Sequence, residues 1–134
     1  MERIDLTEQH RAAIDRNAFA NNSGVVIDII SEDFVEAHID VTENTLNPFG
    51  TVHGGAYHTL ADVAAGFAAR SRGKSHVTRS SSMTYLRAVS GGRITCRAEV
   101  ISRSHTFCVS EARIYDDAGS LLCIGTFDYY CVDK

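Results

Sequence analysis

The segment GGAYHTLADVAAGFAAR, residues 54–70, constrains the fold more than any other part of the chain. It is rich in alanine and apolar almost all round, which predicts a helix buried on most of its sides. The loop before it, NPFGTVHGG at residues 47–55, contains the only proline of the chain and three glycines, and is therefore predicted to be a shaped turn segment. Such a helix needs other elements to cover it.

The sequence on both sides of this helix has the two-residue period of β-strands. Val35, Ala37 and Ile39 alternate with polar residues, which predicts one buried and one wet face. Four later segments, at about 77–89, 93–103, 106–115 and 121–132, are separated by hairpin-sized turns. With an early strand that starts near residue 25, the pattern predicts an α+β fold in which an antiparallel sheet wraps one long central helix.

Length and composition limit the classes of function. The 134 residues fit one domain over 1–134, with a short helix predicted at about residues 7–18. A net charge of -4 argues against nucleic-acid binding, which needs a clustered basic face. No run of about 18 apolar residues exists, so we expect no membrane partner and a cytoplasmic location.

Two groups of residues allow less specific interpretations. The four cysteines have no C-x-x-C spacing, which favours small buried hydrophobes over a zinc site or a disulfide framework. A small basic cluster could hold phosphates of a small ligand or be a solvated loop. Its members are Arg70, Arg72, Lys74 and Arg79.

Asp62 lies in the middle of the apolar helix. Burying an ionised carboxylate costs several kcal/mol unless partners compensate, so its presence needs a reason. A partly desolvated carboxylate suits general-base or nucleophilic work, which makes Asp62 the candidate catalytic residue. The alternative is a carboxylate that caps a neighbouring turn or faces a hydrated subunit interface.

Gly54 and Gly55 open the same helix. Free backbone N–H groups and the positive end of the helix dipole meet there, and glycine lets a carbonyl approach closely, as an oxyanion hole requires. A tight loop is the alternative interpretation of this pair. Gly54 and Asp62 are about 12 Å apart along the helix axis at 1.5 Å per residue. One helix can hardly supply both groups to one carbonyl, so we predict a site shared between two subunits of a two-fold homodimer.

The motif NPFGTVHGG, followed by Leu60-Ala61-Asp62, resembles the hotdog-fold acyl-CoA thioesterases of the phenylacetic-acid-degradation type. The resemblance implies that Asp62 activates water or attacks the thioester, while the Gly54 amide polarises its carbonyl. Asn47 would place the carbonyl or the water. It also implies two subunits per site and a homotetramer built from two dimers.

Other site residues follow from the same resemblance. His53 would be mainly structural and fix the loop, with a direct catalytic role as the alternative. Thr78 or Ser82 would match the hydroxyl that assists the water in some relatives. Tyr57 and His58 depart from the small or aliphatic residues usual in the family, and His58 could tune Asp62 or face an interface or solvent.

The expected reaction is hydrolysis of a small aromatic or medium-chain acyl-CoA. No metal or redox cofactor is expected, and coenzyme A enters only as part of the substrate. The histidines lack H-x-x-x-H spacing, and no G-x-S-x-G elbow is present, which argues against metal and serine hydrolases. A hotdog enoyl-CoA hydratase or dehydratase and a non-catalytic acyl-CoA binding module stay as alternatives.

Overall fold

Two short helices precede the sheet in the computed structural model, which describes residues 3–133. A 3-10 turn at Glu8–His10 leads into α1, Arg11–Arg16, and α2 follows at Ala18–Asn22. The single helix predicted at residues 7–18 is therefore wrong. The backbone of Asn17 leaves the helical region with ψ +77°, and its side chain accepts the N–H of Ala20, which starts a second helix.

The first two strands form a hairpin. β1 spans Val25–Ser31 and β2 spans Phe34–Asp40, and they pair antiparallel across a tight turn at Asp33, which has φ +65°. Three alternate side chains of β2 are fully buried, as predicted: Val35, Ala37 and Ile39.

The helix α3 spans Gly54–Arg70, as predicted, and forms the centre of the core. It packs against all six strands, and ten of its seventeen residues are buried, which accounts for the apolar composition of the segment. Beyond its first turn, Thr59, Asp62 and Arg70 recur at helical spacing on one side and stay partly accessible. Polar side chains of α3 therefore lie on this accessible side.

Four strands follow α3 and complete one antiparallel sheet. They are β3 His76–Tyr85, β4 Arg93–Arg103, β5 Phe107–Tyr115 and β6 Leu121–Cys131. The sheet has the order β1-β2-β4-β5-β6-β3, so β3 lies at an edge and pairs only with β6. The predicted antiparallel sheet around one long helix is confirmed.

The strand predicted at residues 77–89 ends earlier, at Tyr85. The N–H groups of Leu86 and Arg87 both donate to the carbonyl of Leu122, so the regular ladder stops there. The chain then turns toward the loop before α3, where the carbonyl of Val89 accepts the N–H of Val52. This turn places the end of β3 beside the start of the central helix.

The cysteine prediction is confirmed. All four thiols are free and buried: Cys96, Cys108, Cys123 and Cys131. Burial raises the pKa of Cys123 to about 12, because a thiolate would be poorly solvated there. These side chains act as small core residues.

Candidate active site

His53 is the N-cap of α3. Its Nδ1 accepts the N–H of Gly55 at 2.8 Å, and its backbone carbonyl accepts the N–H of Ala56 at 2.9 Å. An accepting Nδ1 places the proton of the neutral ring on Nε2. The structure thus gives His53 the loop-fixing contact that the sequence predicted, and it uses the amide of Gly55 for that purpose.

The N–H of Gly54 is left over at this helix start. No acceptor for it exists among residues 3–133, although the next amide is capped. It lies at the positive end of a seventeen-residue helix and is partly accessible. Of the two predicted glycines, Gly54 is therefore the one whose amide can serve a ligand.

Asp62 is partly buried, and one of its two carboxylate oxygens is held in place. Oδ1 accepts hydrogen bonds from the hydroxyl of Thr78 at 2.9 Å and from the hydroxyl of Tyr129 at 3.0 Å. Oδ2 has no hydrogen-bond donor in the part of the chain that the structure describes. The carboxylate is thus fixed by one oxygen and open to a ligand at the other.

Tyr129 was not predicted as a site residue. It is 1% exposed, and its hydroxyl lies 3.0 Å from both Oδ1 and the backbone carbonyl of Asp62. Burial, and then the negative charge of Asp62, raise the pKa of Tyr129, so the phenol stays protonated and donates. The feature that could have identified Tyr129 is its inward position in β6, because a buried tyrosine hydroxyl requires a hydrogen-bond partner.

The two hydroxyl candidates on β3 lie in different places. A β-bulge at Arg79 shifts the register after Thr78, and Thr78 is the residue that reaches Asp62. Ser82 makes no side-chain hydrogen bond within residues 3–133 and pairs with β6 further along the strand. The structure brings Thr78, and not Ser82, to the carboxylate.

His58 points toward β3 instead of Asp62. Its Nε2 lies 3.1 Å from the hydroxyl of Ser81, and its ring packs against Phe127 with centroids 5.5 Å apart. A hydrogen bond between His58 and Asp62 is not formed, so the structure gives no direct contact through which this histidine would tune the carboxylate.

Asn47 shapes the loop before α3. Its side-chain oxygen accepts the N–H groups of Phe49 and Thr51, and its amide donates to the Thr51 hydroxyl at 2.8 Å. These bonds close the turn that leads to the helix start. A contact between Asn47 and substrate stays a prediction.

A pocket of about 320 Å³ opens beside Gly54. Tyr57 and Tyr85 line it with their rings 6.0 Å apart, and the hydroxyl of Tyr85 donates to the carbonyl of Gly54 at 3.3 Å. The hydroxyl of Tyr57 is buried without a hydrogen-bond partner within residues 3–133. The hydrogen bond from Tyr85 to Gly54 thus connects the end of β3 to the start of α3.

The members of the predicted basic cluster differ in their contacts. Arg72 pairs with Asp33, and Arg79 pairs with Asp128. Arg70 is partly buried and donates to the carbonyl of His76. Two of the four charges, those of Arg72 and Arg79, are therefore paired with carboxylates within the fold.

Within residues 3–133, no helix is long and apolar enough to cross a bilayer. The same residues contain no group of three or more His, Cys, Asp or Glu side chains arranged to hold a metal ion.

Two known proteins have sequences similar to this chain. A protein of Haemophilus influenzae described as a candidate esterase is 31% identical over 111 residues, which cover 81% of this chain and 80% of that protein. The proofreading thioesterase EntH of Cronobacter sakazakii is 31% identical over 103 residues, 75% of each chain.

Solved structures show the same fold. The E. coli PaaI protein from the phenylacetic acid degradation operon superposes with a TM-score of 0.89 at 24% identity, over 94% of this chain and 92% of that one. A thioesterase from Haemophilus influenzae gives 0.85 at 26% identity, over 93% and 90%. The fold is therefore the predicted hotdog fold. Since residues 49–123, which carry Gly54 and Asp62, match the family model described as thioesterase superfamily, this chain belongs to that superfamily.

Proposed function

We propose that this thioester hydrolase acts on acyl-CoA, with Asp62 as the catalytic carboxylate. The observation that carries the proposal is the asymmetry of that carboxylate: Thr78 and Tyr129 hold Oδ1, while Oδ2 is open. A preorganised general base needs one carboxylate oxygen that is held in place and one that reaches the proton it removes. A carboxylate that merely capped a turn would spend its oxygens on backbone amides.

The Gly54 amide is the proposed oxyanion donor. Since His53 caps the amide of Gly55, one unsatisfied N–H remains at the helix start, and an oxyanion donor acts by stabilising charge that develops on the carbonyl oxygen. Gly54 and Asp62 of one chain are about 12 Å apart along α3, because each residue rises 1.5 Å. The two groups must therefore come from different copies.

The β3 edge provides the geometry for such a pair. Val77 and Tyr85, near its two ends, are 52% and 50% exposed, and the strand has a neighbour on one side only. Two copies that pair antiparallel along β3 would bring the first residues of one strand opposite the last residues of the other. Tyr85 holds Gly54 of its own chain, so this pairing brings that amide close to the other copy's Asp62.

In the proposed reaction, water is the only co-substrate of the thioester. Asp62 takes a proton from water as the oxygen attacks the thioester carbon, and the Gly54 amide of the other copy stabilises the oxyanion. The C–S bond breaks, the proton held by Asp62 passes to the departing thiolate, and a carboxylic acid and free coenzyme A leave. Direct attack by Asp62 through a mixed anhydride is the alternative course. A homotetramer and a cytoplasmic location belong to the same proposal.

The primary test is thiol release over a panel of acyl-CoAs, including phenylacetyl-CoA and hexanoyl-CoA. Asp62→Asn keeps the shape of the side chain and removes its charge, so we expect release to fall by at least 10²-fold, the lower range for losing a general base. Asp5→Asn, which changes an exposed aspartate near the N-terminus, is the matched control. Equal release by the wild type and the Asp62 variant would remove Asp62 from the mechanism.

A second pair of variants tests the oxyanion donor. Gly54→Pro removes the N–H with little backbone strain, because proline is well tolerated at the first helical position and His53 already has the extended backbone that precedes proline. Gly54→Ala keeps the N–H, and its new methyl group would lie in ordinary contact with the Tyr85 ring. We expect a roughly 10²- to 10³-fold loss of kcat for the proline variant alone.

A mixture of the two inactive variants tests whether the site is shared. After subunits of Asp62→Asn and Gly54→Pro exchange, a mixed dimer contains one site with both groups intact. Activity should therefore return on mixing. Mixtures that stay inactive after proven exchange would contradict the shared site.

A further inference from the structure

Arg70 differs from the other arginines of residues 3–133. Eight arginines pair with carboxylates, and Arg16 and Arg87 are exposed, whereas Arg70 is partly buried without a carboxylate within ion-pair distance. Its one hydrogen bond goes from Nη1 to the carbonyl of His76 at 3.2 Å. A guanidinium has five N–H donors, so most of its hydrogen-bonding capacity is unused.

Gly66 lets this guanidinium fold back along the helix. A Cβ on Gly66 would lie 3.2 Å from Nη1 and 3.3 Å from Nη2 of Arg70, so the charged group rests against the glycine itself. The helix places Asp62, Gly66 and Arg70 on one side at intervals of four residues. The guanidinium therefore lies about one helical turn, roughly 5.4 Å along the axis, beyond the carboxylate.

The local charges agree with this placement. Burial lowers the pKa of Arg70, while Tyr129 and Asp62 act in the opposite direction. Even so, an arginine side chain keeps its charge. The Phe67 ring lies beside the guanidinium, 4.9 Å from its Cζ, but no anion pairs with it within residues 3–133. A ligand that provides an anion would therefore stabilise this partly desolvated cation beside the proposed reaction centre.

We infer that Arg70 binds a carboxylate at the far end of the acyl group, so that the preferred substrates are acyl-CoA thioesters of dicarboxylic acids. This inference rests on the function proposed above, with the thioester at Asp62. The planar guanidinium accepts a carboxylate with two parallel hydrogen bonds. The phosphates of coenzyme A fit less well, because the long pantetheine arm separates them from a thioester that lies only one helical turn from Arg70.

The test compares substrates of equal chain length. Thiol release would be measured for glutaryl-CoA against valeryl-CoA and for adipyl-CoA against hexanoyl-CoA, with an enzyme-free blank for each. The wild type should have the higher kcat/KM for the dicarboxylic member of at least one pair. Arg70→Gln should lower that preference roughly ten- to hundredfold, as expected when a hydrogen bond to a charged group is lost.

Control variants separate binding from structure. Arg16→Gln changes an exposed arginine and should keep the wild-type preference. Arg70→Lys keeps the charge without the planar fork and should retain part of it. Gly66→Ala should fold, since its Cβ meets only the flexible end of the Arg70 side chain, and it should reduce the preference by displacing the guanidinium.

The outcomes distinguish the inference from the function on which it rests. Hydrolysis of hexanoyl-CoA without any preference for adipyl- or glutaryl-CoA would overturn the role of Arg70 and leave thioester hydrolysis intact. Equal loss of activity on both members of each pair in Arg70→Gln would likewise refute carboxylate recognition. A wild-type protein that releases no thiol from any acyl-CoA would overturn the proposed function itself.

Discussion

The hydroxyl of Tyr129 anchors Asp62, and Tyr129→Phe removes that anchor alone. The ring is 1% exposed, so phenylalanine fills the same space and only the O–H donor is lost. A hydrogen bond to a charged group contributes about 1.5–3 kcal/mol. Because the phenylalanine ring offers no donor in place of the hydroxyl, we expect the free energy of unfolding to fall by about 2 kcal/mol, within that range.

Urea unfolding at a fixed protein concentration would measure this change, because the proposed dimer would make apparent stability depend on concentration. Tyr130→Phe is the matched control: the neighbouring tyrosine is 39% exposed, and an exposed substitution changes stability by less than about 0.5 kcal/mol. The same Tyr129 change made in Asp62→Asn should cost only about 1 kcal/mol, since the acceptor is then neutral. Equal losses in Tyr129→Phe and Tyr130→Phe would refute the anchoring role.

Three further predictions concern the rest of the chain. His53→Ala should destabilise the protein by about 0.5–2 kcal/mol through loss of the helix cap, whereas His53→Asn should retain most of the stability because asparagine is a good N-cap; thermal unfolding would compare them. The four buried thiols should not react with a disulfide reagent in the native protein and should all react after unfolding in guanidinium; a native thiol titrating at once would contradict their burial. Burial would raise the pKa of Asp33, but hydrogen bonds from Arg72 and Arg103 outweigh it and hold the pKa below 3.8. The stability advantage of the wild type over Asp33→Asn, which tolerates the same positive φ, should therefore be full above pH 3.8 and shrink as the pH falls through the lowered native value; a difference that is independent of pH would show that the charge of Asp33 contributes nothing.

The sequence predicts the central helix with its correct ends because its signals are local. A glycine pair opens Gly54–Arg70, and a nearly uniform apolar stretch fills it. The two-residue period predicts the strands, but it does not predict where β3 ends. The ladder stops because the N–H groups of Leu86 and Arg87 both donate to the carbonyl of Leu122, which is distant in sequence.

The site was only partly predictable for the same physical reason. Asp62 is recognisable because a carboxylate is out of place in an apolar helix. Tyr129 donates across 67 positions of sequence, and its partner depends on strand order. The choice of Thr78 over Ser82 depends on a bulge at Arg79, which alternation alone does not reveal.

The position of β3 next to β6 also affects how the chain can mature. β4 and β5 lie between β3 and β6 in sequence, so β3 has no partner in the sheet until β6 has been made. A nascent chain that already contains Gly54–Arg70 must keep that apolar helix partly uncovered meanwhile, a stage at which chaperones would be needed most. Premature termination before residue 121 would remove the Tyr129 donor of Asp62, so we expect hydrolytic competence to arise only after β6 has been made.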